Sequence, residues 1–277
     1  MGDRLKRKMS SLNDLPNEIL LHIMSYLKIK DVVKTSVLSK RWRNLWKFLR
    51  HLKLDTSEFS KPCFFSDCVF EIVSSRGMGD YPLRTLDFNR HGAFRHEIFT
   101  RLINHAMSNG LQQLNIAVPS NIGLPYSIFS CHSLTSIYIS VSRYDIKKRT
   151  RLPKHLDLPG LRSLHLELVG IQADDSGHAE PFSTCTKLTD LNIDECFLVY
   201  PSSLSRDGEG IINVTNDTLC NLTIKDTLTL KTMKRGPTCK YVIVTPKLVS
   251  FTVNGSPFRA SSVPERVKVE LQSSLMT

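Results

Sequence analysis

The sequence predicts an α/β protein in which a short N-terminal module of three helices precedes an irregular solenoid of strand-containing repeats. Two observations predict this fold class. Residues 12–50 place their apolar side chains at helical spacing, and the remainder of the chain repeats a strand-like hexad at near-regular intervals. The 277 residues, 41% hydrophobic and 23% charged, are those of a globular chain of about two domains.

The helical module is expected to contain three short helices. Pro16 suits the first turn of the first helix, where its missing N–H costs nothing. The apolar stripe that follows consists of Ile19, Leu20, Ile23, Met24 and Leu27. Asp31 is expected to cap the second helix and Ser39 the third, whose apolar stripe is Trp42, Leu45, Trp46 and Leu49. So short a segment cannot bury all these side chains in its own core, and some of them are expected to bind a partner.

The repeated hexads have the form L-x-x-L-x-L, with other large apolar residues replacing some leucines. They begin at Leu49, Leu83, Leu111, Leu134, Leu161, Leu188, Leu219 and Leu248, at intervals of 23 to 34 residues. This spacing is that of a leucine-rich repeat or slightly longer. Each hexad is predicted to be a short strand with its apolar residues inside the stack and the intervening residues on the concave face. The return segments are expected to be helix or coil.

Two stretches give more detail about the repeats. An apolar stripe between Ile98 and Met107 predicts a helix that ends at Asn109-Gly110. The hexad that begins at Leu188 continues to Cys196 and Leu198, as in the longer L-x-x-L-x-L-x-x-C-x-L pattern. The other hexads mostly lack the Asn or Cys, so an irregular solenoid is expected.

The positive charge lies mainly at the N-terminus. Residues 1–53 contain thirteen Lys or Arg and four Asp or Glu, which is +9 of the net charge of +11. This asymmetry disfavours nucleic-acid binding by a surface that extends over the whole chain. Residues 1–11 are expected to form a basic disordered tail. The basic run 143–154 and the turn-rich segment 200–210 are expected to be loops.

The sequence lacks the signatures of several other classes of protein. The seven cysteines form no C-x-x-C pair, so neither a disulfide framework nor a zinc site such as a RING is indicated. No P-loop, nucleophile elbow or zinc-protease motif occurs. We therefore expect no enzyme activity, metal or cofactor, although a thioester-forming cysteine is not excluded by sequence. No secretory or membrane-length apolar run is found, so a soluble protein of the nucleus and/or cytoplasm is expected.

The N-terminal module resembles an F-box. The residues that carry the resemblance are Leu15-Pro16-x-x-Ile19-Leu20-x-x-Ile23, Tyr26-Leu27 and Val37-Leu38-Ser39-Lys40-Arg41-Trp42-Arg43-x-Leu45-Trp46. The last stretch is especially similar to plant F-box proteins with degenerate leucine-rich repeats. Together with the repeats, the resemblance covers nearly all of the chain and implies an F-box-like domain at 12–52 and a repeat solenoid at 53–277. Many relatives carry a C-terminal FBD domain, which is expected to be absent or only begun here, 24 residues after Val253.

The resemblance implies a function in protein degradation. An F-box binds a Skp-type adaptor and thereby joins a cullin–RING (SCF-type) ubiquitin ligase, while the repeats select the substrate protein. The residues expected to bind the adaptor are Leu15, Pro16, Ile19, Leu20, Ile23, Leu27, Val37, Leu38 and Trp42. Trp42 and Trp46 are expected to be mainly core residues. The alternative is a repeat protein that binds a partner without ubiquitination, or a truncated relative that titrates the adaptor.

The substrate is expected to bind the middle of the concave face. The candidate residues there are Tyr138, His165, Glu167, Asp190, Asn192 and Asp194. They combine an aromatic side chain, which often anchors an interface, with carboxylates that favour a basic segment on the target. The alternative is that these are ordinary solvated strand residues. Neither membrane binding nor nucleic-acid binding is expected.

Overall fold

The computed structural model describes residues 12–59, 61–75, 82–90, 96–119, 122–142, 150–201, 210–226, 239–255 and 268–272. Three segments for which the sequence makes predictions lie wholly or partly outside this range. They are the tail 1–11, residues 143–149 of the basic run, and residues 202–209 of the segment predicted as a loop.

Two α-helices and three 3₁₀ helices form the N-terminal module. Helix α1 is Asn17–Ser25 with Pro16 at its N-cap, and helix α2 is Ile29–Lys34. The 3₁₀ helices are Leu12–Asp14, Thr35–Val37 and Trp42–Phe48. The third predicted helix is therefore a 3₁₀ helix, and Ser39 does not cap it because the Ser39 hydroxyl donates to Asn13 Oδ1 at 3.2 Å. Asp31 lies within the first turn of α2 and does not cap it.

Fifteen strands, two further α-helices and two 3₁₀ helices, Thr56–Glu58 and Tyr126–Ser130, are described in the rest of the chain. Helix α3 is Pro62–Ser75 and helix α4 is His96–Ser108. The strands are β1 His51–Asp55, β2 Thr85–Asn89, β3 Gln113–Pro119, β4 Ser136–Ser142, β5 Arg151–Leu152, β6 Ser163–Glu167, β7 Gly170–Gln172, β8 His178–Ala179, β9 Asp190–Asp194, β10 Phe197–Val199, β11 Gly210–Thr215, β12 Asn221–Asp226, β13 Cys239–Val244, β14 Ser250–Gly255 and β15 Lys268–Gln272. Nine of them form one parallel sheet in chain order, β1-β2-β3-β4-β6-β9-β12-β14-β15.

The hexads are the strands of this sheet. All three apolar residues of each of the eight hexads are buried, and equivalent residues pair across neighbouring strands. Leu164, for example, pairs with Ile137 on one side and Leu191 on the other. The alternation of buried and partly exposed residues along each strand leaves the intervening side chains on the opposite face of the sheet. The sequence pattern did not reveal β15, the ninth strand.

The return segments change character along the chain. The predicted helix is present as α4, and Gly110, with φ of +73°, follows its end. Helix α3 occupies the preceding return. The later returns contain strands, and the prediction of helix or coil is wrong for them: β5, β7 and β10 form one small parallel sheet, and β8, β11 and β13 form another. The residues of β11 are strand-forming because every second one is buried, and a period of two suits a strand and not a helix.

At two places, a residue in the left-handed backbone conformation lies where the chain passes from the large sheet into the small sheet of β5, β7 and β10. Leu168 follows β6 with φ of 58°, and Glu195 follows β9 with φ of 48°. Their N–H groups donate to the carbonyl oxygens of Asp194 and Lys225, at 2.9 and 2.7 Å, which lie in the next strand of the large sheet. The sharp corner leaves only two residues between β6 and β7, too few for a helix.

Buried polar side chains join successive repeats. The Cys196 thiol donates to the carbonyl oxygen of Leu166 in the preceding repeat at 3.5 Å, which fits the longer repeat pattern. Asn216 is also buried, and its amide donates to the carbonyl oxygens of Phe182 and Cys185 at 3.1 and 2.9 Å. These bonds satisfy backbone groups that the loops would otherwise bury without a partner.

The N-terminal module packs directly against the first strand of the large sheet. One hydrophobic core extends from Leu20 in α1 to Val253 in β14. Lys30 Nζ in α2 donates to the carbonyl oxygen of Glu58, just after β1, at 3.0 Å. The predicted boundary between residues 52 and 53 lies inside β1. Within the described ranges, no helix is both long and apolar enough to cross a membrane.

Candidate protein-binding surfaces

Exposed apolar side chains are concentrated in the N-terminal module. Twelve large hydrophobic residues are exposed in the part of the chain that the structure describes, and seven of them lie between residues 12 and 38. These seven, here called the apolar patch, are Leu12, Ile19, Ile23, Tyr26, Leu27, Val37 and Leu38. Such a concentration of exposed apolar surface in so short a segment is typical of a protein-binding site.

Helix α1 divides its apolar residues between two faces. Leu20 and Met24 are fully buried against the core. Ile19 and Ile23, each one position earlier, are 45% and 37% exposed. Both pairs are four residues apart, so each pair lies on one side of the helix. One side of α1 thus holds the module together and the other is available to a partner.

The predicted adaptor-binding residues fall into two groups. Six are exposed: Pro16, Ile19, Ile23, Leu27, Val37 and Leu38, and Leu15 is half-buried. Leu20 and Trp42 are buried in the core, which corrects the prediction that they contact the adaptor directly. The burial of Trp42 and Trp46 agrees with the core role expected for both. Sequence reasoning missed Leu12 and Tyr26, although Tyr26-Leu27 was part of the F-box resemblance.

Asn13 connects the two ends of the N-terminal module. Its Oδ1 accepts a hydrogen bond from the indole N–H of Trp42 at 2.8 Å, in addition to the Ser39 hydroxyl bond. The Arg41 guanidinium donates to the Asn13 carbonyl oxygen and, through Nε, to Asn17 Oδ1 at 2.9 Å. The Ser-Lys-Arg-Trp stretch therefore has a structural role, because it fixes the start of α1 and so the orientation of the apolar patch.

The predicted substrate residues lie on the polar face of the large sheet. Tyr138, His165 and Asn192 are consecutive members of one row across β4, β6 and β9. Glu167 and Asp194 are neighbours in a second row, two residues farther along the strands. Asp190 lies at the opposite end of β9, in a third row. All six are partly buried.

Four of these six residues form a connected cluster. The Tyr138 hydroxyl donates to Glu167 Oε2 at 2.9 Å, and the Tyr138 and His165 rings meet edge to face with centroids 4.6 Å apart. Lys225 Nζ, in the adjacent strand β12, forms an ion pair with Asp194 Oδ2 at 3.2 Å. Burial raises the pKa of Tyr138, as do the hydrogen bond to Glu167 and its charge, so the hydroxyl remains a donor at neutral pH. Lys225 was not among the predicted residues.

The cluster is acidic at neutral pH. Burial lowers the pKa of His165 below its ordinary value, although the carboxylates of Asp194 and Glu167 oppose the shift, so the ring is neutral. Two carboxylates and one ammonium group then give −2 + 1 = −1 for Glu167, Asp194 and Lys225, and Asp190 adds a third carboxylate at the other end of β9. Asp190 Oδ1 accepts from Asn221 Nδ2 at 2.6 Å. Asn192 Oδ1 is buried and has no hydrogen-bond partner among the described residues. The face therefore offers acceptors to a ligand that carries donors.

Three buried or half-buried cysteines are unsuited to nucleophilic chemistry. Burial raises the pKa of Cys68 and of Cys185 to about 11 and that of Cys196 to about 12. Because the thiolate is the nucleophile, these three thiols are protonated and unreactive at neutral pH. None of them therefore has the environment of a thioester-forming ligase cysteine.

Comparison with known proteins agrees with the geometry. Residues 12–54 match the F-box domain family, and residues 99–248 match the family described as "FBD-associated F-box protein At5g56370, LRR repeats". The Arabidopsis thaliana F-box/LRR-repeat protein At3g26922 is 31% identical over 271 residues, which are 96% of this chain and 81% of the relative. The chain belongs to the F-box/LRR-repeat family.

Other relatives of this F-box/LRR-repeat protein are longer. The F-box/FBD/LRR-repeat protein At1g78750 of Arabidopsis thaliana is 29% identical over 205 residues, 69% of this chain and 43% of the relative. The F-box/LRR-repeat protein 13 of the same plant is 30% identical over 192 residues, 67% of this chain and 41% of the relative. The chain thus spans less than half the length of these two relatives. The F-box match includes every residue of the apolar patch, and the repeat match includes the polar cluster.

Proposed function

We propose that this protein is a substrate-recognition subunit of an SCF-type, cullin–RING ubiquitin ligase. The apolar patch binds a Skp-type adaptor, and the polar face of the large sheet binds the target. The observation that carries the proposal is the concentration of exposed apolar side chains within the F-box match. F-box/LRR-repeat proteins are in general non-catalytic. In the proposed complex, the chain therefore forms no bond itself but holds a lysine of the substrate close to the ubiquitin donor.

The adaptor-binding step is tested by placing a charge in the apolar patch. Ile23→Asp and Val37→Asp alter side chains that are 37% and 84% exposed, so both variants are expected to fold. Burying the new carboxylate against an apolar partner without a counter-charge should weaken binding of a purified Skp-type adaptor by more than about a hundredfold. Isothermal titration calorimetry measures the loss, and circular dichroism confirms the fold.

A matched control is available in the repeats. Val249 is 64% exposed, and Val249→Asp introduces the same charge far from the N-terminal module in sequence. The control should bind the adaptor as the wild type does. If Ile23→Asp and Val37→Asp also bind with unchanged affinity, the patch is not the adaptor site and the proposal is wrong.

The nine strands in chain order support a solenoid whose concave face is the polar face of the large sheet. We propose that a basic segment of the target binds the middle of this face. The acidic cluster, its aromatic pair and the buried acceptor of Asn192 support this assignment. A Lys or Arg side chain would add charge-assisted hydrogen bonds to these carboxylates, and it would supply the donor that Asn192 Oδ1 lacks among the described residues. Carboxylates around the site would also speed the encounter with a basic target.

The substrate step is tested with a triple variant, Tyr138→Ala, Glu167→Ala and Asp190→Ala. The control replaces one Tyr, one Glu and one Asp that are exposed and lie outside the large sheet: Tyr126, Glu180 and Asp157. Affinity purification with proteasome and neddylation inhibitors should show targets that the wild type and the control capture and that the triple variant loses. Adaptor binding should be equal in all three proteins. Equal capture by the triple variant would refute the assignment of the polar face.

The same purification distinguishes the ligase subunit from a repeat protein that binds or titrates the adaptor without ubiquitination. Reconstitution with adaptor, cullin and RING protein should attach ubiquitin to the captured target. Adaptor binding without ubiquitin transfer would favour the alternative. We further propose that the protein acts in the nucleus and/or the cytoplasm, the expectation from its sequence, and fluorescence microscopy of a tagged chain tests it.

A further inference from the structure

The segment that carries the apolar patch is also the most basic part of the described chain. Residues 12–54 contain nine Lys or Arg and three Asp or Glu, so their formal charge is 9 − 3 = +6 out of +11 for the whole sequence. Their cations serve two different purposes. Some bind groups within the protein, as Lys34 does with Asp31 at 3.1 Å and Arg41 with Asn17.

Three other cations lie close in sequence to residues of the apolar patch and have no such partner among the described residues. Lys28 directly follows Leu27, and Lys40 and Arg43 follow Leu38 by two and five residues. All three are exposed. Among the residues that the structure describes, none of the three forms an ion pair. Their charge is therefore available to a partner that covers the patch.

We propose that Lys28, Lys40 and Arg43 form a cationic rim that recognises an acidic surface on the adaptor. The proposal rests on the adaptor-binding function given above and adds the chemistry of the partner's surface. Charges at the edge of an interface mainly increase the rate of association, because they attract the partner before contact is made. The apolar side chains then determine how slowly the complex dissociates. The two parts of the surface thus have separable effects on binding kinetics.

The combination of features favours a protein over a nucleic acid as the acidic partner. Phosphate contacts are made by cations and other hydrogen-bond donors and gain nothing from exposed aliphatic side chains. The seven apolar residues of the patch would gain nothing against a sugar–phosphate backbone. An acidic protein surface with apolar residues at its centre complements both the rim and the patch.

The test compares two triple charge reversals in the full chain. The rim variant carries Lys28→Glu, Lys40→Glu and Arg43→Glu. The control carries Lys154→Glu, Lys187→Glu and Lys247→Glu, which change the net charge by the same amount at exposed positions in the repeat region. Stopped-flow association with a purified Skp-type adaptor is measured at 50 mM and at 500 mM salt, and circular dichroism melting confirms that both variants fold.

The rim variant should associate about tenfold more slowly than the wild type at low salt, with a dissociation rate within about twofold of the wild-type value. The difference should largely vanish at high salt, where the Debye length falls to a few ångströms. The control should associate at a rate close to that of the wild type.

Three outcomes would overturn the proposal. Equal slowing by the rim and control variants would show that only net charge matters. An unchanged association rate for the rim variant, while Ile23→Asp abolishes binding, would refute the rim and leave the adaptor function intact. Failure of the wild type to bind the adaptor, together with RNA or DNA binding that the rim variant loses, would refute both and assign the cations to a nucleic acid.

Discussion

The N-terminal module and the repeats use the same apolar residue types in opposite ways. In the repeats, all three apolar residues of every hexad are buried, and the exposed positions between them are mostly polar. In the module, adjacent apolar residues differ in exposure: Ile19 is exposed, whereas Leu20 is fully buried. A neighbouring repeat covers every hexad from within the same chain. Among the described residues, nothing covers the patch in this way, and this difference is the physical reason for proposing that another protein binds it.

The largest effect is expected from a charge inside the repeats. Leu164 is buried between Ile137 and Leu191, so Leu164→Asp should destabilise the repeats by several kcal/mol, of the order of 3–5, and unfold the neighbouring units. His165, the next residue, lies on the polar face, and His165→Ala should change the free energy of unfolding by less than about 1 kcal/mol. Urea denaturation followed by circular dichroism compares the two. Equal losses would mean that the strand faces are wrongly assigned.

A smaller effect separates the two faces of α1. Leu20→Ala removes a fully buried side chain and should cost about 2–4 kcal/mol of stability. Ile19→Ala, at a site 45% exposed, should cost less than about 1 kcal/mol while it weakens adaptor binding. Denaturant unfolding and adaptor titration are measured on both variants. The comparison would fail if Ile19→Ala proved the more destabilising of the two.

The hydrogen bonds of Asn13 should contribute less than a buried leucine. Asn13→Ala removes the acceptor of the Trp42 indole N–H and should cost about 1–2 kcal/mol. Asn221→Ala, which removes an exposed bond to Asp190, serves as the control and should cost less than about 0.5 kcal/mol. Unfolding monitored by tryptophan fluorescence measures both. An unaltered transition in Asn13→Ala would show that the module does not need this connection.

The weakest expected effect is a pH dependence from the polar cluster. Because folding lowers the pKa of His165 from its ordinary 6.5, the unfolded chain binds more protons as the pH falls through that value. The free energy of unfolding should therefore decrease from pH 7.5 to pH 5.5. His165→Gln removes this contribution, so the stability advantage of the wild type over the variant should shrink as the pH is lowered. A growing advantage at low pH would show that the carboxylates of Glu167 and Asp194 dominate over burial.

The fold was predicted correctly from the sequence where the spacing of apolar residues fits only one kind of secondary structure. The period-two hexads predicted the strands and their buried faces, and the helical stripe and Asn109-Gly110 predicted α4 and its end. In the small parallel sheets, β5, β7, β8 and β10 were missed because they are only two or three residues long, and because the turns into β7 and β10 use Leu168 and Glu195 in a conformation that non-glycine residues rarely adopt. The six-residue strands β11 and β13 do not begin with the leucine hexad that marks the strands of the large sheet.

The candidate sites were predicted only in part, for a related reason. A helical stripe of adjacent apolar residues does not reveal which side faces the core, so Leu20 and Trp42 were assigned to the adaptor although they are buried. The polar cluster was predicted from strand alternation, which fixes the face. Its partners Lys225 and Asn221 belong to the next repeat, some thirty residues later, and only the register of β9 against β12 brings them into contact.

Because the N-terminal module packs directly on β1, binding of the proposed adaptor would be transmitted into the repeats as protection against unfolding. A ligand that binds only the folded state adds about 2.7 kcal/mol of stability at a hundred times its Kd. In an array whose units contact only their neighbours, this protection is greatest in the first strands and declines toward β15. Hydrogen exchange would then show a gradient along the chain, steepest near β1. The strands farthest from the module would open first, so proteolysis of the assembled protein would begin near β15 and proceed toward the module.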